Sequence, residues 1–285
     1  VTAVLESPSV ADTHNGDVEL VITDLDDTFW EWCTTWHAMY NGFNSVLQRS
    51  YGVSDSEIED MWAHAYARRN GETIEFPPSY DDLLNHTGID TVDSRAVWRE
   101  AFNVSRSRRD AAFKVFHGVK ETLEELSSRG VPVVAHTDSP VLAAEHRLQQ
   151  AGLDGLVHSL YGRPVIIPFG EYRLEHTVPF HVAGWEAKPS TVVVNHILEE
   201  HHVDPSKVLY VGDSMRRDMR MADAAGLRPV WASYGTDYAE RERTIETLVK
   251  VQRLRPFPPD ASMVNEPNRN GHTKISSFSE ILDLL

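Results

Sequence analysis

A chain of 285 residues with 41% hydrophobic and 25% charged side chains has the make-up of a folded globular protein, which excludes a disordered, collagen-like or coiled-coil chain. Its 27 basic residues face 43 acidic ones, a formal net charge of −16, so its general surface is unsuited to nucleic acid or an anionic membrane, and an anionic ligand requires a local cation. Cys33 is the lone cysteine, which excludes an internal disulfide or a cysteine–zinc cluster and fits a reducing compartment; with no apolar run of membrane-spanning length, the expectation is a cytoplasmic protein with no membrane partner.

Residues 1–16 read as an N-terminal tail, since Pro8, Asn15 and Gly16 interrupt any periodicity. Val18 to Thr23 is a short β-branched run that ends in acid, at Asp24, Asp26 and Asp27. Residues 31–112 then carry helical patterns. Trp32, Trp36, Met39, Tyr40, Phe43, Val46 and Leu47 recur at helical spacing, and Ser54-Asp55-Ser56-Glu57 is a capping box ahead of Ile58, Met61, Trp62, Ala65 and Tyr66, in a helix ended by Asn70-Gly71. Shorter helices follow near Asp81 and from Asp93 to Arg109. Val131 to Ala135 is a second strand, and Ser139-Pro140 opens a helix closed by Gly152. Residues 162–187, with three prolines and four aromatics, suggest a projecting hairpin or flap. Pro189 opens a helix running through His202; its His196, His201 and His202 read as surface beside Glu199-Glu200. Lys207 to Val211 is a third strand, Ser214 to Ala225 a helix closed by Gly226, and Arg228 to Ala232 a fourth strand with Pro229 at its entry or on an edge. Pro256 to Thr273 reads as a surface connection, and Ser277 to Glu280 caps a last short helix that docks Ile281, Leu282 and Leu285. Strands alternating with helices predict an α/β fold with a doubly wound parallel sheet (residues 17–30 and 113–285) interrupted by a helical subdomain at 31–112.

In such sheets ligands bind beyond the carboxyl ends of the strands, and four polar signals stand there: Asp24-Leu25-Asp26-Asp27-Thr28, Thr137-Asp138, Lys188-Pro189, and Gly212-Asp213-Ser214 with Asp218. Singly, each has a bland explanation as a solvated turn, a satisfied strand end, a surface lysine or a helix cap. Together they imply more. Asp24, Asp26, Asp213 and Asp218 at one sheet edge repel one another without a cation, and all-oxygen ligands suit Mg²⁺. Lys188 beside a helix N-terminus is unfavourable by roughly 0.3–1 kcal/mol unless an anion lies between, and the helix start after Thr137 offers N–H groups to such an anion. That combination points to phosphoryl transfer.

These four motifs, in this order and spacing, resemble those of the haloacid dehalogenase-like hydrolases, over roughly Val18 to Gly226. The resemblance implies a Rossmann-like core with residues 31–112 as a helical cap that closes over the substrate. It also implies Asp24 as nucleophile and Asp26 as acid and base, with Thr137, Asp138 and Lys188 on the phosphoryl group. Mg²⁺ would be held by Asp24, the Asp26 carbonyl and Asp213, with Asp218 in support. Asp26 argues against halide displacement, which needs no proton donor, and the absence of lysine between Glu31 and Ala112 argues against a cap Schiff base. What remains is a phosphatase acting on a small phosphorylated metabolite, or a sugar-phosphate mutase. A non-catalytic phospholigand-binding protein has no need of both Asp24 and Asp26.

Overall fold

The structure is a computed structural model and describes residues 18–68, 75–87, 93–164, 176–182, 184, 186–254 and 268–285. The expected tail at 1–16, the helix end at Asn70-Gly71, and much of the 162–187 and 256–273 segments lie outside these residues. Seven strands form one sheet: β1 (Leu20–Thr23), β2 (Val133–Pro140), β3 (Ser159–Arg163), β4 (Phe180–Val182), β5 (Val208–Gly212), β6 (Arg228–Ala232) and β7 (Thr273–Ile275). Their order is β4-β3-β2-β1-β5-β6-β7, and every pairing is parallel. The fold is therefore the doubly wound, Rossmann-like α/β architecture that the alternation predicts.

A parallel sheet covered on both faces needs apolar side chains on both sides of each strand, and β1 supplies them. Val21 joins a core containing Leu123 and Leu126 of α5 (Val119–Ser128), Leu148 of α6 (Val141–Ala151) and Leu248 of α9 (Ala239–Val251). Leu20 and Ile22 join the opposite core with Val193, Val194 and Ile197 of α7 (Val192–His201) and Met221 of α8 (Arg220–Ala224). The chain runs outward from β1 through β2, β3 and β4, then returns to place β5 on the other side of β1. The strand order reverses between β1 and β5, so the ligand crevice opens beyond their carboxyl ends.

Residues 31–112 supply α1 (Trp32–Tyr51), α2 (Asp55–Arg68), α3 (Tyr80–Thr87) and α4 (Ser94–Ala111). The capping box forms: the Ser54 N–H donates to Glu57 at 2.7 Å, and the Glu57 N–H donates to the Ser54 hydroxyl at 3.4 Å. Trp62 lies fully buried among Trp36, Tyr40, Phe43 and Tyr66, with its indole N–H donating to Asn44 Oδ1 at 2.8 Å. Its buried cluster is continuous with the α5, α6 and α9 side of the sheet, and α1 packs against both α4 and α9. The C-terminal segment is a 3-10 helix, Phe278–Leu284, whose Phe278 ring meets Phe29 edge-on at 5.1 Å.

Several elements depart from the sequence reading. β3, β4, β7, α5 and α9 were not legible as elements. β4 pairs with β3 in parallel, so these two strands are not the arms of a hairpin; the rest of the hairpin or flap expected from residues 162–187 lies outside the described residues. Pro229 is the second residue of β6, an internal strand whose pairing with β7 begins only at Val230, so it marks an entry and not an edge. α6 starts at Val141 because β2 continues through Pro140, paired with Arg163. α7 starts at Val192, after a turn in which the Ser190 N–H donates to the Ala187 carbonyl.

Replacing Trp62 with alanine empties a packed aromatic cluster and strands the Asn44 oxygen. Loss of a buried aromatic costs about 3–5 kcal/mol, measurable as a lowered denaturant midpoint; a loss below about 1 kcal/mol would contradict this packing.

Candidate active site

β1 ends at Thr23, and the chain turns sharply. Thr28 and Phe29 N–H groups fold back onto the Leu25 carbonyl, and Asp27 adopts φ +59°. In that conformation the Asp27 carboxylate accepts from the Trp32 N–H at 2.8 Å and the Cys33 N–H at 3.4 Å, so it caps α1 from outside the helix. The turn leaves Asp24 and Asp26 at the strand end in different surroundings.

Asp24 is buried with Lys188, whose ammonium donates to Asp24 Oδ1 at 2.5 Å and to Asp218 Oδ1 at 2.8 Å. Asp218 lies on a π-helical turn, Met215–Met219, that swings its carboxylate back under β5, where Oδ2 accepts from the Ser214 N–H at 3.0 Å. A Cβ on Gly212 would lie 2.5 Å from the Asp218 carboxyl carbon, so only glycine fits at that strand end. Burial works against the Lys188 charge, but Asp218 and Asp24 outweigh it and hold its pKa well above the ordinary lysine value. Burial pushes the Asp24 carboxyl up, reinforced by Asp218, Asp213 and Asp26 and opposed by Lys188. The Lys188 ammonium is thus held by two carboxylates. Carboxylates stabilise its charge directly.

Asp213 follows β5. Its Oδ2 accepts from Arg241 of α9 at 3.1 Å, while its Oδ1 is buried with no hydrogen-bond partner among the described residues. Burial raises its pKa to about 7, against Arg241 and with Asp27 and Asp218 adding to the rise. Carboxylate oxygens of Asp24, Asp213 and Asp218 lie within 4.8 Å of one another. Arg241 also contacts Asp27 at 3.5 Å, and the Arg217 guanidinium, which bonds Asp138 at 3.5 Å, adds its charge near all three carboxylates. An oxygen-only group holding an orphaned buried oxygen fits a hard dication such as Mg²⁺. The repulsion inferred from sequence is thus partly relieved by basic side chains, and the unpartnered Asp213 oxygen is the sharper indication of a missing cation. Asp218, expected only in support, belongs to this carboxylate group; the Asp26 side chain does not.

Asp26 is held elsewhere. Its Oδ1 accepts from the Trp30 indole at 2.7 Å and from Arg147 at 3.1 Å, and its Oδ2 accepts from the Ser139 hydroxyl at 2.5 Å. Arg147, on α6, also pairs with Glu75, whose Oε1 lies 2.7 Å from the Ser139 hydroxyl, a second acceptor for its single proton, and accepts from the Trp32 indole at 3.2 Å. Glu75 belongs to the 31–112 segment, so the helical insertion reaches the site through this carboxylate. Burial raises the Asp26 pKa, Arg147 opposes the rise and Glu75 adds to it.

Thr137 is buried, and its hydroxyl accepts from the Ser139 N–H at 3.0 Å. Asp138 accepts from the Lys188 N–H at 3.2 Å and from Arg217 at 3.5 Å, so its side chain fixes the turn that carries the lysine. His136 is buried beside Tyr210, and burial pushes its pKa down to about 3, which keeps it neutral at the strand end. Sequence reasoning missed Glu75, Arg147 and Arg241. Arg147 interrupts the apolar stripe of α6 between Ala144 and Leu148, a legible signal; Glu75 and Arg241 carry none, because their partners are distant in the chain.

Gly235 marks the closest approach. A Cβ there would lie 1.7 Å from the Asp27 carbonyl oxygen and 3.1 Å from the Asp213 Cβ. Gly235→Ala must therefore displace the turn that presents Asp24 and Asp26, and turnover of any substrate should fall at least ~10²-fold, the order expected of a displacement near 1 Å. Near-normal turnover would contradict the placement of Gly235.

Comparison with known proteins agrees with this geometry. The family model for haloacid dehalogenase-like hydrolases matches residues 18–226. A phosphoglycolate phosphatase of Vibrio parahaemolyticus is 28% identical over 226 residues, 79% of this chain and 87% of its own. Another of Vibrio vulnificus is 31% identical, over 66% of this chain and 72% of its own. Among solved structures, a 2-haloacid dehalogenase from Pseudomonas syringae shares the fold with a TM-score of 0.55 at 16% identity, covering 94% of this chain and 97% of that one. A HAD phosphatase from Thermococcus onnurineus does so at 0.50 and 18%, covering 78% and 89%. The match spans every motif at the β1–β5 crevice, and the chain belongs to the haloacid dehalogenase-like hydrolases.

Proposed function

We propose that this protein is a Mg²⁺-dependent phosphomonoesterase that hydrolyses a small phosphorylated metabolite through an aspartyl-phosphate on Asp24. The observation that carries the reading is the division of labour between two carboxylates two residues apart. Asp24 is buried against Lys188 beside Asp213 and Asp218, whereas Asp26 has its pKa raised by burial and is oriented by Trp30, Ser139 and Arg147. Divergent environments for paired carboxyl groups support separate nucleophile and acid–base roles.

Asp24 attacks phosphorus, forming the acyl-phosphate bond as the bond to the leaving oxygen breaks, and Asp26 gives its proton to that oxygen. Water then attacks phosphorus, Asp26 takes the water proton, and the bond to Asp24 breaks to release inorganic phosphate. Lys188 holds the Asp24 carboxylate and, with Thr137 and the Asp138 amide, binds the phosphoryl oxygens. Asp24, Asp213 and Asp218, with the Asp26 carbonyl, would hold Mg²⁺, which when bound supplies charge neutralisation for the phosphoryl oxygens.

Residues 31–112 act as the cap, and Glu75 is its contact with the Asp26 network. The phosphoglycolate phosphatases among the relatives make a short phosphorylated hydroxy acid the first substrate to test. The lone cysteine, Cys33, is buried and unpaired with any other cysteine, which fits a reducing, cytoplasmic setting.

A panel of phosphate esters that includes 2-phosphoglycolate, assayed for inorganic phosphate with Mg²⁺, tests the proposal. Release is expected on at least one ester, abolished by chelator and restored by Mg²⁺. Full turnover in metal-free protein, or isomerised sugar phosphate without phosphate release, would overturn the reading.

A further inference from the structure

A second group of potential ligands lies at the β4 edge of the sheet. His196 and Glu200 are one turn apart on α7, so they share a face of that helix. His181 stands on β4, paired in register with Tyr161 of β3. His181 Nε2 lies 3.7 Å from Glu200 Oε1, and His196 Nε2 lies 3.7 Å from Glu200 Oε2. Ligand atoms of all three residues fall within 4.8 Å of one another.

Tyr161 organises them. Its ring is stacked on His181 at 4.4 Å with an interplanar angle of 6°, and meets His196 edge-on at 6.1 Å. Its hydroxyl donates to Glu200 Oε2 at 2.5 Å, fixing the carboxylate from the buried side. A carboxylate held by a hydrogen bond from a buried neighbour, with imidazoles oriented by packing, is the outer-sphere support that metal ligands carry.

Two histidines and a carboxylate are a zinc donor set, and tetrahedral ligands about 2.0–2.2 Å from zinc lie roughly 3.3–3.5 Å from one another. The observed separations need only small side-chain adjustments, which the half-exposed histidines are free to make. As isolated surface ion pairs the same contacts would contribute little. We infer that His181, His196 and Glu200 form a second metal site, for a borderline transition-metal dication of the Zn²⁺ class, with its remaining position open to water.

The site also has a mechanical consequence. His181 and His196 flank the segment that carries Lys188, so a metal bound by both closes a loop around that lysine and clips β4, a three-residue edge strand, to α7. Closing such a loop restricts the unfolded chain and stabilises the folded one.

The test is calorimetric titration of full-length protein with ZnCl₂ in excess Mg²⁺, which keeps the hard aspartate group occupied, alongside thermal unfolding with and without zinc. The wild type should bind one equivalent of zinc and unfold at a higher temperature with it. His181→Ala and His196→Ala should each weaken binding at least tenfold, and the double variant should lose both the binding and the thermal shift. Asp213→Asn should keep that zinc equivalent. No zinc uptake by the wild type, unchanged uptake by the double variant, or loss of uptake in Asp213→Asn would each overturn the assignment. The readout is metal binding, so it stands apart from whether the protein hydrolyses phosphate esters.

Discussion

A lysine ammonium buried between two carboxylates sets the terms for this protein. Lys188 is 6% exposed and bound by Asp24 and Asp218, residues supplied by two neighbouring strands' ends. Removing one partner of such a buried pair leaves an uncompensated charge and costs several kcal/mol, on the order of 3–5, so the elements that deliver the three side chains are fixed relative to one another. β1 and β5 must lie side by side for Asp24 and Asp218 to face one ammonium. The turn before α7 must bring Lys188 in from beyond β4, and Asp138 holds that turn through the lysine's own N–H. Gly212 and Gly235 are glycines because the backbone approaches the acidic side chains and the Asp27 turn more closely than a Cβ allows.

The same constraint accounts for the rest of the charge at the crevice. Arg241 reaches from α9 to Asp27 and Asp213, and Arg147 from α6 to Asp26 and Glu75, so two helices of one sheet face each contribute a guanidinium to the acidic strand ends. These pairs do two different things. Arg241 and Lys188 stabilise the carboxylates suited to metal binding and leave one buried Asp213 oxygen without a partner among the described residues. Arg147 and Ser139 instead orient Asp26 toward the helical insertion, through Glu75.

Much of this was legible in the sequence, for physical reasons. β1, β5 and the start of β2 are apolar runs buried on both faces, β6 is a partly exposed one, and the polar residues that follow the strands announce the crevice. Gly152 and Gly226 end their helices with positive φ, as a helix-terminal glycine should. The residues that stayed hidden are those whose meaning is only spatial. β4 is three residues long and β7 exposes Thr273 and Lys274, so neither carries a strand pattern, and without β4 there was no reason to join His181 to His196. Glu75 is remote in sequence from Ser139 and Arg147. Ser139 reads locally as a helix cap, but its hydroxyl is committed to Asp26 and Glu75, and the helix begins later.

The central claim is that Asp24 and Asp26 perform separate steps, and trapping the phosphoenzyme tests it most directly. With nitrophenyl phosphate, whose leaving group needs little protonation, Asp26→Asn should accumulate protein-bound phosphate in an acid quench. Its decay should be slowed ~10²–10⁴-fold by loss of the group that activates water. Asp24→Asn should trap none. Bound phosphate in Asp24→Asn, or near-normal turnover by that variant, would contradict the account.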